Sequence, residues 1–410
     1  MQSTMDNRII IGNHGDGIRS DVKITFVLKK SGGREITIRS KVQSMYGNDI
    51  LRLADKMLDF YGVGDAALSI DDSGALPFVL MARIEAAIRK ITGSTKEFLP
   101  EHLPENQTVT QKVRQRISRL YLPGNTPSLM INAGIHKPHG LILDLEDAVA
   151  PSKKYEARFL VRNALRQLRF YGAERMVRIN QMPEGAIDLG FVVPHGVNVI
   201  LLPKCESPDQ VKMVNQHIDE IQQHQKKQQV WIMPIIESAL GVINAYNIAT
   251  AAENIIAIAI GLEDYTADLG TRRTDSAEES FFARSTIVNA ARAADVRPID
   301  SVFSDVSDME GLKENVKRSK ALGFDGMGCI HPRQIRVIHE NFAPGTEEFE
   351  RAMKIVKAFD DATAKGLGVV ALGTKMIDPP VVKRAQQCVD MAVNMGIIEK
   401  NWKEKYEEIR

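Results

Sequence analysis

From Arg116 onward the sequence repeats one pattern eight times: a short apolar run rich in Ile, Val and Leu, then a stretch with helical spacing. The runs are SRLYLP, GLILDLED, RMVRIN, VNVILLPK, VWIMPIIE, IIAIAIGLED, IDSVFSD and FDGMGCIHP, with helical stretches such as YEARFLVRNALRQL and GLKENVKRSKALG between them. Parallel strands need a crossover, usually a helix, and eight such units close on themselves. The expected fold class is therefore α/β, a (β/α)8 TIM barrel. The rival, an open doubly wound sheet, lacks its signature: no GxGxxG turn follows the first strand.

The residues before the barrel read differently. DVKITFVLKK and REITIRSKV alternate polar and apolar positions around Ser31, Gly32 and Gly33, which predicts a hairpin. NDILRLADKMLDFYG has helical spacing and stops at Gly62, AALSIDD is a short strand, and LPFVLMARIEAAIRKI is a second amphipathic helix. The sum is a small α+β module of ββαβα order over residues 1–92. The polar stretch 93–115, with two prolines, reads as a linker. The barrel then occupies 116–345, and 346–410 is a mostly helical extension.

Composition narrows the partners. Lys plus Arg number 53 and Asp plus Glu 52, so there is no basic excess of the kind nucleic-acid binding requires. No window approaches the ~18 apolar residues of a membrane span. Three scattered cysteines, Cys205, Cys329 and Cys388, form neither a disulfide framework nor a metal site. With no apolar signal-peptide core near Met1, the expectation is a cytoplasmic protein without membrane or nucleic-acid partners.

In a barrel of this kind the catalytic groups stand at the C-terminal ends of the strands. In order, these ends carry Asp144, Glu146 and Asp147; Arg178 and Asn180; Lys204; Glu237; then Glu263 and Asp264. Charged side chains directly after runs of Ile, Leu and Met are costly to desolvate unless something pairs with them. Glu237 and Asp264 end adjacent strands, so their carboxylates can converge on one point. Two carboxylates, waters and a chelating substrate are how Mg²⁺ is commonly held. The plainer readings are helix caps or loop acids for the carboxylates, an ion pair to Asp144 or Asp147 for Arg178, and a surface charge for Lys204. His331 reads as a structural hydrogen-bonder. The glycine-rich GNHGDGIRSD lacks the Lys-Ser/Thr ending of a P-loop and reads as a flexible loop presenting Ser20.

LYLPG, LILDLEDAV, VRIN, LLPK, PIIES, GLEDY, GFDGMGCIHPRQI and GTKMIDPPVVKRA occur in that order between about Arg116 and Ala385. Together they resemble the citrate lyase beta subunit and its HpcH/HpaI aldolase relatives. The resemblance implies a Mg²⁺-binding barrel that cleaves a carbon–carbon bond beside a thioester carbonyl. It implies Glu237 (of PIIES) and Asp264 (of GLEDY) as metal ligands, and Arg178 (of VRIN) facing the substrate oxygen. Asp144, Glu146 and Asp147 of DLED would stand beside the metal site; Lys204 is a further substrate-side candidate from its strand-end position alone. Asp378 of KMIDPP is implied as an acid reaching a neighbouring subunit's site in a homo-oligomer. The family often begins its first strand with paired arginines; here Arg116 keeps the first and Ile117 replaces the second, leaving Arg116 as the candidate substrate-side cation. In the N-terminal module, SIDDSGALPFVLMARIEAAI and SMYGNDILRLADKMLDFYGV resemble the citrate lyase acyl carrier (gamma) subunit. That family carries a phosphopantetheine-type arm, derived from dephospho-coenzyme A, on a serine just before an Asp. Here Arg19 stands in the serine's place, and Ser20 one position later is the candidate attachment point.

The expected function is Mg²⁺-dependent cleavage of a citryl-type thioester, citryl carrier to oxaloacetate and acetyl carrier, beside a transferase subunit. Two alternatives are carried: a lyase on free malyl- or citramalyl-coenzyme A with a purely structural N-terminal module, and a non-catalytic carrier or assembly protein.

Overall fold

The computed structural model describes residues 7–223, 227–364, 366, 370–372 and 375–404. The N-terminal module contains β1 (Arg8–Ile11), β2 (Val22–Leu28), β3 (Arg34–Ser40), α1 (Gln43–Phe60), β4 (Ala66–Asp72) and α2 (Pro77–Thr92). Its sheet order is β1-β2-β4-β3. The predicted hairpin does not form, because β4 lies between its two strands. It pairs antiparallel with all of β2 and parallel with all of β3. Strand β4 buries alternate side chains, Ala66, Leu68 and Ile70, and is paired along both edges; a direct β2–β3 pair would leave one of those edges unpaired. An additional strand, β1, pairs antiparallel with β2.

Helix α2 starts on Pro77 and ends at Gly93, whose φ of 68° places it in the left-handed region. Every residue from Phe78 to Ile88 is buried, including Arg83 and Glu85. An α-helix buried on all sides needs a second layer, and the barrel supplies it. Arg162, on the barrel helix Lys154–Gln167, donates to Glu85 at 2.6 and 2.9 Å with both side chains fully buried. Arg83 donates from Nε and Nη2 to Asp21, both at 3.0 Å, and from Nη2 to the Asn125 carbonyl. Buried pairs of this kind add little net stability but penalise any other docking, since breaking one strands a charge.

The barrel strands are β5 (Ser118–Pro123), β6 (Gly140–Asp144), β7 (Glu174–Arg178), β8 (Val199–Leu202), β9 (Trp231–Ile236), β10 (Ala257–Ile260), β11 (Arg297–Ile299) and β12 (Met327–Cys329). All neighbours pair in parallel, in the order β11-β10-β9-β8-β7-β6-β5-β12. A parallel bridge from Asp300 to Met327 joins the two ends. The expected (β/α)8 closure is present. Inside the barrel, Ile142, Met176, Leu201, Met233, Ile235 and Ile299 form an apolar filling.

The segment 93–115 is strapped to the barrel instead of hanging free. The Leu103 amide donates to the Arg166 carbonyl, Asn106 Nδ2 to Leu168, Arg175 to Thr108, and Trp231 Nε1 to Thr110. Arg175, Asn198 and Trp231 lie at or beside the N-terminal ends of β7, β8 and β9, so the strap crosses the face opposite the expected active site. Its main-chain carbonyls at Pro100, Glu105, Thr108 and Thr110 find donors in Arg166, Arg175 and Trp231, so the segment is held along its length. Beyond the barrel, helices Thr346–Ala364 and Pro379–Asn394 pack on each other around Ile355, Val356, Ile377, Val389 and Trp402.

Candidate active site

Arg178 is the last residue of β7 and lies in register with Asp144, the last residue of β6. Its Nε and Nη2 donate to the two Asp144 oxygens at 2.8 and 2.6 Å, and Nη1 lies 2.9 Å from Glu146 Oε2. The guanidinium also stands 5.3 Å from the centre of the Tyr121 ring. Burial opposes the charge on Arg178, but the Asp144 hydrogen bonds outweigh it and raise its pKa further. The ion pair that sequence allowed for Arg178 thus exists, and it orients the group toward the barrel mouth.

Lys204 follows β8 with φ of 48°, a left-handed conformation that is uncommon for a side-chain-bearing residue. Its backbone amide donates to Glu237 Oε1 at 2.7 Å. Its ammonium lies 3.5 Å from Glu146, 3.5 Å from Asp147 and 3.6 Å from Asp264, and these carboxylates raise its pKa against the effect of burial. Glu237 follows β9, 5% exposed. Burial pushes its carboxyl up to about 8, helped by Asp264 and Glu146 and resisted by the Lys204 amide. Asp264 comes from the first turn after β10. Burial also holds Glu146 above the usual carboxylate range, with Arg178 and Lys204 opposing.

Arg178, Asp144, Asp147, Glu237 and Asp264 line one cavity of about 280 Å³. Carboxylates outnumber cations here: Asp144, Asp147, Glu237, Glu263, Asp264 and Asp300 line the cavity with Arg119 and Arg178, and Glu146 and Lys204 stand beside them. Among the described residues, no three His, Cys, Asp or Glu side chains are gathered closely enough to hold a metal by themselves. Mg²⁺ does not require such a cage, since it keeps several waters and takes one or two carboxylates. Glu237 and Asp264 fit that role, because a divalent cation between them would relieve the charge that burial and crowding now oppose.

Two candidates do not join the cavity in their own chain. Arg116 precedes β5 and lies at the N-terminal end of the barrel, where it donates twice to Glu174 at 2.7 and 2.8 Å and to the carbonyls of Gln111, Lys112 and Arg114. It closes the barrel floor, and its expected place on the substrate side is corrected. Asp378 caps the helix Pro379–Asn394 by accepting from the Val381 amide, outside the cavity lining. Glu263 lines the cavity and pairs with Arg273, and His331 caps the helix Pro332–Phe342. Cys205 and Cys329 are buried, with thiols pushed up to about 12 by burial, as packing residues would be. Sequence reading missed Arg119 and Tyr121. The signal was present in the alternation of SRLYLP, which sends both side chains to one face.

Ser20 lies in the loop between β1 and β2 with φ of 57°, its amide donating to the Ser73 carbonyl. That loop leans on the catalytic face of the barrel. The Gly12 amide donates to Glu156 and Lys153 donates to the Gly12 carbonyl, both from the segment after β6. Asp21, next to Ser20, pairs with Arg83, which also reaches the carbonyl of Asn125, just after β5.

The family model for HpcH/HpaI aldolase/citrate lyase matches residues 117–332, which include all eight barrel strands. The chain belongs to that family. Citrate lyase subunit beta of Haemophilus influenzae is 39% identical over 284 residues, covering 68% of this chain and 98% of that protein. The mitochondrial citramalyl-CoA lyase of Mus musculus is 30% identical over 292 residues, covering 67% of this chain and 86% of its own. A crystal structure of CitE from Mycobacterium tuberculosis in complex with magnesium, acetoacetate and coenzyme A aligns with a TM-score of 0.57 at 30% identity, over 69% of this chain and 99% of that one. Like the lyases among these relatives, this chain is a carbon–carbon lyase. The N-terminal module is matched separately over residues 13–91 by an acyl-carrier model described as malonate decarboxylase delta subunit (MdcD).

Proposed function

We propose that this chain is a Mg²⁺-dependent lyase that cleaves a citryl-type thioester into oxaloacetate and an acetyl thioester. The observation that carries the reading is the single cavity lined by Arg178, Glu237 and Asp264 at the C-terminal ends of three strands. The TIM-barrel relative whose structure holds magnesium and coenzyme A supports the metal and the thioester.

The reaction removes the proton of the tertiary hydroxyl and breaks the bond to the α-carbon of the thioester, leaving the electron pair on that carbon. Glu237 and Asp264 would hold the Mg²⁺, which when bound supplies Lewis-acid polarisation of the oxygen that becomes the keto group. Arg178, oriented by Asp144 and Glu146 before substrate arrives, stabilises negative charge on the reacting oxygens without reorganising. Lys204 holds Asp264 and Asp147 toward the mouth. Ile235, Ala259 and Ile260 supply an apolar wall that keeps the site dry. Asp378 of a neighbouring subunit would protonate the carbon of the acetyl thioester.

We place the acyl group on a phosphopantetheine-type arm at Ser20. The loop's lean on the catalytic face supports this, since an arm there serves its own barrel without movement of the module. A transferase partner would load the arm, in the cytoplasm; among the described residues no helix is long and apolar enough to cross a membrane. The second reading, a lyase on free citramalyl- or malyl-coenzyme A, draws on the clamped module and on Arg19 in the serine's expected place. Intact-mass measurement of the native protein separates them. A mass excess on the peptide containing GIRSDV, lost in Ser20→Ala, is the expected result. A native protein at unmodified mass that turns over a free coenzyme A thioester would establish the second reading instead.

A further inference from the structure

Arg119 is the second residue of β5 and is 1% exposed. It shares the inward face of the strand with Tyr121, one pleat deeper below the mouth, and it lines the same cavity as Glu237 and Asp264. Glycines flank it on both neighbouring strands, where a methyl would crowd Met176 on one side and Val302 and Tyr121 on the other. Arg119 lies in register with Gly140 on β6 and Gly328 on β12, and a methyl on Gly140 would come 3.4 Å from its Cγ.

This guanidinium has almost nothing to bind. Nη1 donates to the thioether sulfur of Met233 at 2.9 Å, a weak acceptor, and buried Nε has no acceptor. Among the described residues no carboxylate forms an ion pair with it. The acid that influences it, Asp300, is already engaged by Arg284, Ser319 and the Ser301 amide. Burial lowers its pKa to about 10, which still leaves it charged at neutral pH. Among the described residues the other fully buried arginine side chains, Arg83 and Arg162, have carboxylate partners, and the nearly buried Arg175 donates to three carbonyls. An unpaired buried charge is among the costliest features a core can hold, and a barrel interior filled with Met and Ile would be better served by another apolar residue.

We propose that Arg119 is the substrate-selecting residue of the cavity, a buried receptor for the carboxylate of the keto-acid half that lies farthest from the metal. This rests on the lyase reading above and deepens it. Oxaloacetate has a second carboxylate to place on Arg119. Pyruvate, left by a citramalyl thioester, presents a methyl group there, and glyoxylate, left by a malyl thioester, presents only hydrogen. A guanidinium binds a carboxylate through paired, charge-assisted hydrogen bonds and discriminates strongly against a group that leaves it unpaired. Arg119 therefore sets the enzyme toward a citryl-type substrate.

The test titrates oxaloacetate and pyruvate into the full chain with Mg²⁺, using wild type, Arg119→Met, Arg119→Gln and Arg119→Lys. Wild type should prefer oxaloacetate. Arg119→Met and Arg119→Gln should lose about 10- to 100-fold in oxaloacetate affinity and keep pyruvate affinity within about twofold, the range expected for one charged hydrogen-bonded contact. Arg119→Lys should retain part of the preference. The ligand-free thermal midpoint of Arg119→Met should stay level or rise, since an unpaired charge has been removed, whereas a purely structural arginine would lower it. Equal loss of both keto acids, no loss of either, or a lowered midpoint for Arg119→Met overturns the inference alone. Failure of both keto acids to bind wild type with Mg²⁺ overturns the lyase reading, and the inference with it.

Discussion

Glu237 owes its position to a glycine. A methyl on Gly261 would come 2.4 Å from Glu237 Oε2, so the turn after β10 leaves the space that this carboxylate fills. The buried histidines show a different economy. His195, 3% exposed, accepts from Arg166 at Nδ1, and burial with Arg162 and Arg166 pushes its pKa down to about 2. It is neutral in the folded protein, while the unfolded chain takes up a proton below the ordinary value of 6.5. Stability is therefore fully present above pH 6.5 and is lost as pH falls from there toward 2. By pH 5 this one group should remove about 2 kcal/mol. Thermal midpoints of wild type and His195→Gln, compared at pH 7 and pH 5, should show a smaller acid loss in the variant; equal losses would refute the assignment. At this scale the convergence of Glu237, Asp264 and Arg178 on one cavity was legible, because each is a charged residue at the end of a barrel strand. Arg119 was not, because an arginine early in a strand looks like a solvent-side charge until the pleat is followed inward. Arg116 misled for the opposite reason: its family position was visible, but Glu174, its partner across the barrel floor, lies 58 residues away.

The eight barrel strands were legible as elements, since each buried parallel strand is a short apolar run between helical stretches. The N-terminal sheet was harder. DVKITFVLKK and REITIRSKV both alternate correctly, and alternation fixes which side chains face the core without naming the neighbouring strand. The insertion of β4 between them is a long-range pairing that a local turn signal cannot exclude. The strap was hidden for a similar reason: polar residues with prolines describe equally well a flexible linker and a segment whose main chain is hydrogen-bonded to the barrel. What distinguishes them is Arg166, Arg175 and Trp231, donors on elements more than 50 residues downstream.

As a whole molecule, the module and barrel are joined by one continuous apolar core and by buried pairs at Arg162–Glu85 and Arg83–Asp21. The surface also carries exposed apolar side chains. Leu240, Ile243 and Tyr246 stand 52%, 76% and 51% exposed along one helix, and Phe282 is 69% exposed on a helix that packs against it. Such a patch suits a contact between copies, and Asp378 has no place in its own cavity. Mixed oligomers of Arg178→Ala and Asp378→Ala, each inactive alone, should regain part of the activity after dissociation and reassembly. Mixed oligomers that form and stay inactive would confine Asp378 to its own chain or remove it from the reaction. The central claim, a metal held by two carboxylates at the barrel mouth, is tested most directly by calorimetric titration of Mg²⁺ into wild type, Glu237→Gln and Asp264→Asn. Wild type should bind one Mg²⁺ per chain, and each variant should bind it about tenfold or more weakly with its circular dichroism unchanged, because one carboxylate remains against a strongly hydrated ion. Undiminished Mg²⁺ affinity in either variant would contradict the account.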